Sequence, residues 1–238
     1  MVQTRARRTL PRLDESLLMH LAPFSRLTPA QLHTILDQAS VQRYDEGTCI
    51  FHEGDPAERF FMLLDGCLRV VRVTPGGEQV TALHIPAGQL FGIARALGRV
   101  TYPASAIAAA QSLALSWPMR LWDRYSAEYD GFAATTYKIV GARIEEMNMR
   151  MIEMATQQVE QRVANAVLRL VNLAGRKVEG GIEIDFPITR QDLSELTATT
   201  LHTVSRLLSA WERQGLIESR RKRVKVCNPH GLVMIAQG

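Results

Sequence analysis

The feature that most constrains the fold is a series of turn residues that recur roughly every ten positions between residues 40 and 117. The turns contain Gly47, Gly54, Gly66, Gly77 and Gly88, each beside Asp, Glu or Pro or close to one. Short apolar or alternating stretches lie between them, at residues 49–52, 60–64, 68–73 and 80–85. Regular short strands separated by glycine-rich and proline-rich turns predict a small antiparallel barrel or sandwich.

Two helices are predicted before this region, at residues 15–21 and 25–39. Asp14 is the expected N-cap of the first, and the Thr28-Pro29 pair marks the start of the second.

A heptad pattern follows the predicted barrel. Its apolar residues alternate between spacings of four and three, and they are Ala133, Tyr137, Val140, Ile144, Met147, Met151 and Met154. Three heptads of this kind predict a long helix that needs a partner helix, while Arg143, Arg150 and Glu153 lie largely off the apolar stripe. The stripe could pack against the barrel instead, but the strict 3.5-residue period favours a parallel two-helix dimer. The residues expected at this interface are Tyr137, Val140, Ile144, Met147, Met151 and Met154.

The last third of the chain has the pattern of a helix-turn-helix. Thr156 is expected to cap a helix at 157–173, and a strand is expected at 182–186. Thr189 then caps a short helix, a tight turn follows at 197–199, and Thr200 caps a longer helix that Gly215 ends. A short helix, a short turn and a longer helix place the second helix in a DNA major groove.

Charge also indicates a polyanionic partner for this part of the chain. Residues 157–238 hold 12 Lys and Arg against 8 Asp and Glu, which accounts for the whole net charge of +4. A hairpin over 218–226 has four consecutive cations at its tip, which favours a phosphate-contacting wing. The residues expected to contact DNA are Arg190, Thr200, Leu201, His202, Thr203, Ser205, Arg206, Arg220, Arg221, Lys222 and Arg223.

Several other classes of protein are disfavoured. No uncharged apolar run is long enough to span a bilayer and no secretory signal is evident, so we expect a cytoplasmic protein without membrane contact. Cys49, Cys67 and Cys227 are too few and too dispersed for a disulfide framework or a zinc site. A metal-dependent barrel enzyme needs clustered ligands, whereas the predicted barrel has only His52 and His84, far apart.

From about residue 17 to residue 233 the chain resembles the CRP/FNR superfamily of bacterial transcription regulators. The resemblance is carried by Phe51-His52-Glu53-Gly54-Asp55, Gly88-Gln89-Leu90-Phe91-Gly92 and Thr203-Val204-Ser205-Arg206, and by Leu21-Ala22-Pro23-Phe24-Ser25-Arg26-Leu27 near the start. It implies an α+β fold: an N-terminal antiparallel β-roll like a cyclic-nucleotide-binding barrel, a long dimerisation helix and a C-terminal winged helix-turn-helix. The expected boundaries are 1–119, 120–156 and 157–238.

The resemblance further implies an effector-gated homodimer that binds palindromic double-stranded DNA and contacts RNA polymerase as an activator. Cyclic-AMP-binding members follow the glycine matching Gly92 with a glutamate, and ten residues later have an arginine and then a serine. Here Ile93, Pro103 and Ala104 stand at those positions. Because proline cannot pair with a buried phosphate, we expect an effector pocket around Gly92, Ile93, Pro103 and Ala104 that does not bind cyclic AMP. The N-terminal cysteine cluster of an FNR-type iron–sulfur sensor is also missing.

Within the superfamily the chain is most similar to the NnrR-type nitric-oxide-responsive regulators of denitrification. The likeness rests on Thr101-Tyr102-Pro103-Ala104-Ser105-Ala106 and on the 199–212 segment. Haem would be the natural transducer of nitric oxide, and His84 is the preferred axial ligand over His20, His33 and His52. His202 replaces the glutamate usual in the family's recognition helix, so the family half-site does not carry over at that base.

Three functional interpretations follow. The first is a dimeric regulator that responds to nitric oxide or low oxygen and controls denitrification-type genes. The second is the same kind of regulator without a bound effector, controlled by its expression level or by thiol oxidation at Cys227. The third is a cyclic-nucleotide-like module that acts on a protein partner, which the basic helix-turn-helix disfavours.

Overall fold

A computed structural model describes residues 16–77 and 79–238 of the chain, so the cap predicted at Asp14 lies outside the described residues. Two short helices come first, α1 (Ser16–Met19) and α2 (Pro29–Asp37). Helix α2 is shorter than the predicted range of 25–39, but it starts at the Thr28-Pro29 signal, where Thr28 and Gln31 form a reciprocal capping box.

Eight antiparallel strands then form the barrel. They are β1 (Ser40–Tyr44), β2 (Cys49–Phe51), β3 (Arg59–Asp65), β4 (Cys67–Val73), β5 (Gln79–Pro86), β6 (Leu90–Phe91), β7 (Ser105–Ala108) and β8 (Ser112–Pro118). Two four-stranded sheets result, with strand orders β1-β8-β3-β6 and β2-β7-β4-β5. The small antiparallel barrel predicted from the turn spacing is therefore confirmed, as is the β-roll that the family resemblance implies.

The barrel has two apolar layers. Aromatic and aliphatic side chains fill the space between the sheets, where Phe61 and Phe91 stack with ring centroids 4.8 Å apart. A second layer packs the outer face of one sheet against the helices. Trp117 is fully buried there, and its indole N–H donates to the Ile35 carbonyl over 2.9 Å, so its polar atom is satisfied.

The segment predicted as one dimerisation helix at 120–156 is two helices. They are α3 (Trp122–Glu128) and α4 (Phe132–Thr156), and Gly131 separates them in the left-handed region with a φ of 82°. A glycine adopts that conformation at little energetic cost, so the chain changes direction before the 25-residue α4 begins.

Helix α4 has two differently used faces. One carries the exposed apolar residues of the heptad pattern, among which Tyr137 is 67% exposed and Met151 65%. The other faces the rest of the molecule and buries Phe132, Thr136, Arg150 and Glu153. Most residues of the heptad pattern therefore stay exposed in the single chain, and their pairing with a second copy remains a prediction.

The C-terminal part combines helices with one small sheet. Its elements are α5 (Val159–Ala174), β9 (Gly175–Val178), β10 (Gly181–Ile184), α6 (Arg190–Thr197), α7 (Leu201–Arg213), β11 (Ile217–Arg220), β12 (Arg223–Val226) and α8 (Pro229–Gln237). The sheet has the order β11-β12-β10-β9 and packs with the helices around Val163, Leu193, Val204 and Trp211. The predicted winged helix-turn-helix is confirmed.

Three details differ from the sequence-based expectations. Thr156 does not cap α5: its hydroxyl donates to the Ile152 carbonyl within α4, and Gln158 forms the capping box instead. The strand expected at 182–186 ends at Ile184. Helix α8 was not predicted, although the cap formed by Asn228 in front of Pro229 is a sequence signal for it.

In the part of the chain described, no helix has the length and apolarity needed to cross a bilayer.

One buried arginine joins the three parts of the molecule. The Arg150 guanidinium, on α4, donates to the carbonyls of Thr81 and Ala82 on β5. It also donates to the Leu196 carbonyl in the last turn of α6, over 2.7 Å. The long helix, the barrel and the helix-turn-helix are therefore hydrogen-bonded through one side chain.

We expect Arg150→Met to destabilise the protein by about 3 kcal/mol, because it leaves three carbonyls at the junction without their charged donor. Thermal unfolding at one fixed protomer concentration measures the effect as a fall in Tm. Arg95→Met is the matched control, since Arg95 forms an exposed ion pair with Asp123 inside the N-terminal part. Equal Tm values for the two variants would contradict the role of Arg150.

Candidate nucleic-acid interface and sensor cavity

The two helices of the helix-turn-helix are fixed at both ends by local interactions. The Thr189 side chain accepts from the Asp192 backbone N–H over 3.0 Å while the Asp192 carboxylate accepts from the backbone N–H of Thr189 over 2.8 Å. Ala198 makes the turn in a left-handed conformation, with a φ of 49°. Thr200 then caps α7 by accepting from the backbone N–H of Thr203 over 3.1 Å.

A cationic groove opens beside the start of α7. It has a volume of about 490 Å³ and lies between the beginning of α6, the beginning of α7 and the wing formed by β11 and β12. Five of the residues expected to contact DNA line it: Arg190, Leu201, Arg220, Arg221 and Lys222. These residues are up to 32 positions apart in sequence, and the fold brings them to one surface.

Four of the remaining candidate DNA contacts lie in the first two turns of α7, while Thr200 caps this helix and Arg223 lies on the wing. His202 and Arg206 are exposed, one helical turn apart, while Thr203 and Ser205 are half-buried. Leu201 is 47% exposed, because it stands in the first turn of α7 and faces the groove.

The wing ends in a tight turn at Arg221 and Lys222, where Lys222 has a φ of 60°. The Lys222 ammonium reaches the barrel and pairs with the Glu46 carboxylate at 2.6 Å. Arg223 pairs with Glu183 at 3.5 Å. Within the described chain, no ion pair involves Arg220 or Arg221, so their charges are available to an anionic partner.

A second cavity lies inside the N-terminal part, between the barrel and α4. Its volume is about 460 Å³, within the range of about 300–1,000 Å³ typical of small-molecule sites. The four residues expected at the effector pocket, Gly92, Ile93, Pro103 and Ala104, all line it. A Cβ at Gly92 would lie 2.8 Å from the Phe61 ring, so a larger residue would disturb this wall.

The lining of this cavity is mostly apolar. Phe51 stacks on Tyr102 with ring centroids 3.8 Å apart, and Phe91 stands beside them. The Tyr102 hydroxyl donates to the Arg59 carbonyl over 2.7 Å, and burial raises the pKa of Tyr102. Its phenol is therefore neutral at physiological pH.

Helix α4 supplies the opposite wall through Val140, Arg143, Ile144 and Met147. Val140, Ile144 and Met147 belong to the heptad pattern as well, so the residues expected at the dimer interface and the residues that enclose the cavity overlap. The cavity is therefore enclosed by the same helix that is expected to pair with a second copy.

Comparison with known proteins agrees with both halves of this architecture. Residues 41–129 match the model of the cyclic nucleotide-binding domain, and residues 161–235 match the model of the Crp-like helix-turn-helix domain. The global nitrogen regulator of Synechococcus elongatus is 28% identical over 197 residues, which cover 81% of this chain and 87% of that protein. The transcriptional activator protein FnrA of Stutzerimonas stutzeri is 26% identical, over 81% of this chain and 79% of that protein.

The chain belongs to the CRP/FNR family of transcription regulators. Its Crp-like helix-turn-helix domain makes it a DNA-binding transcription regulator. The fold is that of FixK2 from Bradyrhizobium japonicum, whose structure superposes with a TM-score of 0.73 at 20% identity and covers 83% of this chain and 96% of that one.

The histidine expected to ligate haem in this regulator is not in the cavity. The His84 side chain is buried at the contact with the DNA-binding domain, 5.3 Å from the Phe186 ring between centroids. Among the described residues that line the cavity there is neither a histidine nor a cysteine. His84 therefore does not fit as the axial ligand of a haem in this cavity, and no described cluster of His, Cys, Asp and Glu could hold a metal ion.

The three cysteines of the regulator occupy separate places. Cys67 is buried, and burial raises its pKa to about 12. Cys49 and Cys227 are half-buried, and burial is also the main cause that raises the pKa of each. Because the thiolate is the form that oxidises readily, a raised pKa disfavours the redox role considered for Cys227.

His84 makes the domain contact sensitive to acid. Both of its ring nitrogens are buried without a hydrogen-bond partner in the described structure, and burial lowers its pKa from 6.5 to about 4. Asp192 opposes this shift, while Arg69 and Arg150 add to it. The folded protein therefore binds the proton less readily than the unfolded chain, and stability falls as the pH drops from 6.5 towards 4.

We expect His84→Phe to remove about 2 kcal/mol of the destabilisation between pH 7.5 and pH 5, because phenylalanine keeps the stacking on Phe186 and does not titrate. Tm values recorded at the two pH values report the change. His230→Phe is the control, because His230 is exposed. If the His84 variant loses as much stability in acid as the unmodified protein, this explanation is wrong.

Proposed function

We propose that this regulator acts as a homodimer that binds palindromic double-stranded DNA through α7 and its arginine-rich wing. The observation that carries the proposal is the groove that gathers Arg190, Leu201, Arg220, Arg221 and Lys222 beside the first turn of α7. These cations surround the N-terminal end of α7, which carries the exposed His202 and Arg206. In such an arrangement the surrounding cations can contact DNA phosphates, and the helix end can contact base edges.

The chemistry and position of each side chain indicate whether it contacts bases or phosphates. Arg206 has a planar guanidinium that can donate two hydrogen bonds to guanine, so we assign it to base recognition. Arg220, Arg221, Lys222 and Arg223 lie on the wing, away from the helix axis, and we assign them to phosphates. Thr200, Thr203 and Ser205 supply hydroxyls near the helix N-terminus, where a phosphate is also favoured.

The dimer forms through the exposed face of α4. Tyr137, Ile144, Met147, Met151 and Met154 are all exposed in the single chain and follow a heptad spacing. Burying this face against a second copy removes its apolar surface from water and sets two recognition helices about 34 Å apart on the DNA. As an activator the dimer would contact RNA polymerase next to its site.

We further propose that the regulator responds to nitric oxide or low oxygen and controls denitrification-type genes. Support comes from its motif similarity to the NnrR-type regulators and from relatives that include an FNR-type activator. The cavity is not expected to bind cyclic AMP, because Pro103 provides no counter-charge for a phosphate and the lining is mostly apolar.

The test of this narrower proposal is DNA binding by the anaerobic protein, with and without haem, nitric oxide and cyclic AMP. A change in affinity for a palindromic promoter on adding nitric oxide supports it, and cyclic AMP should leave the affinity unchanged. No response to nitric oxide in either haem state would favour control by expression level or thiol oxidation.

For the DNA contacts, we expect Arg206→Ala to lose about 1–3 kcal/mol of discrimination at one guanine position of each half-site. Arg221→Ala should instead weaken binding to all sequences equally and lower the slope of log affinity against log salt by about one unit per protomer. Binding to matched and mutated duplexes at several salt concentrations separates the two. Arg213→Ala, at the far end of α7, is the control and should change neither quantity.

For the dimer, we expect Met151→Glu to dissociate the protein, because it places two carboxylates against each other in an apolar helix interface. Met149→Glu is the matched control: Met149 is also exposed on α4 but lies outside the heptad pattern. Sedimentation velocity gives the oligomeric state. A dimer that tolerates Met151→Glu but not Met149→Glu would place the interface on another face of α4.

A further inference from the structure

The barrel cavity combines an apolar body with one poorly satisfied positive charge. Phe51, Phe91, Ile93 and Met147 contribute apolar lining, and Pro103 stands where cyclic-AMP-binding members carry the phosphate's counter-charge. Of the three arginines that line this cavity, Arg143 reaches in from α4 on the opposite wall.

Arg143 is only partly neutralised by its surroundings. Its Nη2 donates to the Leu90 carbonyl over 2.7 Å and is 3.4 Å from the Gln89 amide oxygen. Its Nε is buried and has no hydrogen-bond partner, and none of the described carboxylates forms an ion pair with it. Glu146 is close enough to act on it electrostatically without such a pair.

The charge of Arg143 is nevertheless retained at physiological pH. Burial lowers its pKa to about 10, which still leaves the guanidinium protonated at pH 7. Arg143 is half-buried, and a guanidinium whose Nε is buried without a partner gains most from a ligand that brings a carboxylate to that N–H.

The two other arginines at the cavity do not offer the same site. Arg72 pairs with Glu53 at 2.9 Å and has a side chain that is 64% exposed. Arg99 is exposed to solvent. Arg143 is therefore the cation around which an apolar anion would be enclosed.

We propose that the cavity binds a small organic acid with an aromatic or aliphatic body, whose carboxylate pairs with Arg143 while its apolar part contacts Phe51, Phe91 and Met147. Binding at this place changes the packing of α4 directly, because Met147 belongs to the heptad pattern as well as to the cavity. This effector class goes beyond the response to nitric oxide and does not depend on it.

The experiment compares two probes that differ at one group, 4-phenylbutyrate and 4-phenylbutan-1-ol, by isothermal titration calorimetry on the full-length protein. We expect the acid to bind about tenfold or more tightly than the alcohol, since only the acid forms a charge-assisted hydrogen bond. Arg143→Met should weaken the acid about tenfold or more and leave the alcohol nearly unchanged. Arg143→Lys keeps the charge and should retain part of the preference for the acid.

Two further variants locate the site. Arg72→Met, at the rim of the same cavity, should leave both affinities unchanged. Ala104→Leu should weaken both probes by filling the cavity, and thermal unfolding checks that this variant is folded. Haemin, which carries carboxylates on an apolar ring, is titrated in parallel: if Arg143→Met weakens haemin as well as the acid, the same counter-charge serves both.

Equal affinity for acid and alcohol would overturn the proposal, as would an acid affinity that Arg143→Met does not change. The proposal would also be overturned if the acid did not bind in the millimolar range while the protein still bound palindromic DNA. Loss of DNA binding in the unmodified protein would instead count against the proposed function, so the two failures are distinguishable.

Discussion

The Arg150 guanidinium holds the long helix, the barrel and the DNA-binding domain in one arrangement. The carbonyls of the last turn of a helix have no partner within the helix, and the Leu196 carbonyl of α6 obtains its donor from Arg150 on α4. A cation at that position also interacts favourably with the negative end of the α6 dipole. Because the same side chain donates to Thr81 and Ala82 on β5, α6 cannot move without breaking a charged hydrogen bond to the rest of the protein.

A second contact reinforces this junction from the other end of α6. The Asp192 carboxylate caps the helix through the backbone N–H of Thr189, and its other oxygen accepts from Arg69 on β4 over 2.6 Å. Glu195 lies 3.8 Å from the same arginine. The start of α6 is therefore fixed to the barrel, and its end is fixed to α4, whose Arg150 also bonds to the barrel. Arg143 and Arg150 lie seven residues apart on α4, which is about 10 Å or two helical turns, so the cavity and this junction share one rigid element.

The sequence predicts the regular parts of this regulator well, because they depend on local signals. Glycine-containing turns give the β-roll, and the caps at Thr28, Thr189 and Thr200 give the starts of three helices. The heptad spacing correctly places an exposed apolar face on α4. Patterns of this kind are readable because each involves residues close in the chain.

Contacts between residues far apart in the sequence were not predictable, because no local pattern relates such residues. Arg69 and Asp192 are 123 residues apart, and no periodicity relates them. His84 was correctly placed in a barrel strand, but which face of that strand meets the DNA-binding domain depends on how the two domains pack. The same limit applies to Arg143, which the heptad pattern identifies only as lying off the apolar stripe. Arg69, Asp192 and His84 lie at the contact between the barrel and the DNA-binding domain, and Arg143 lies at the cavity. Contacts of this long-range kind are the part of the structure that the sequence describes least.

The contacts across the domain junction also differ in how easily DNA could replace them. The Lys222–Glu46 pair is about half exposed on both sides, and a pair of that kind contributes roughly 0–1 kcal/mol. A DNA phosphate can take the place of Glu46 with the added gain of counterion release. The Arg69–Asp192 pair is mostly buried and also caps α6, so exchanging it would leave a buried charge and an uncapped helix. We therefore expect the wing to leave the barrel when DNA binds. Helix α6 should stay attached to the barrel and keep the recognition helix α7 in a fixed position relative to it.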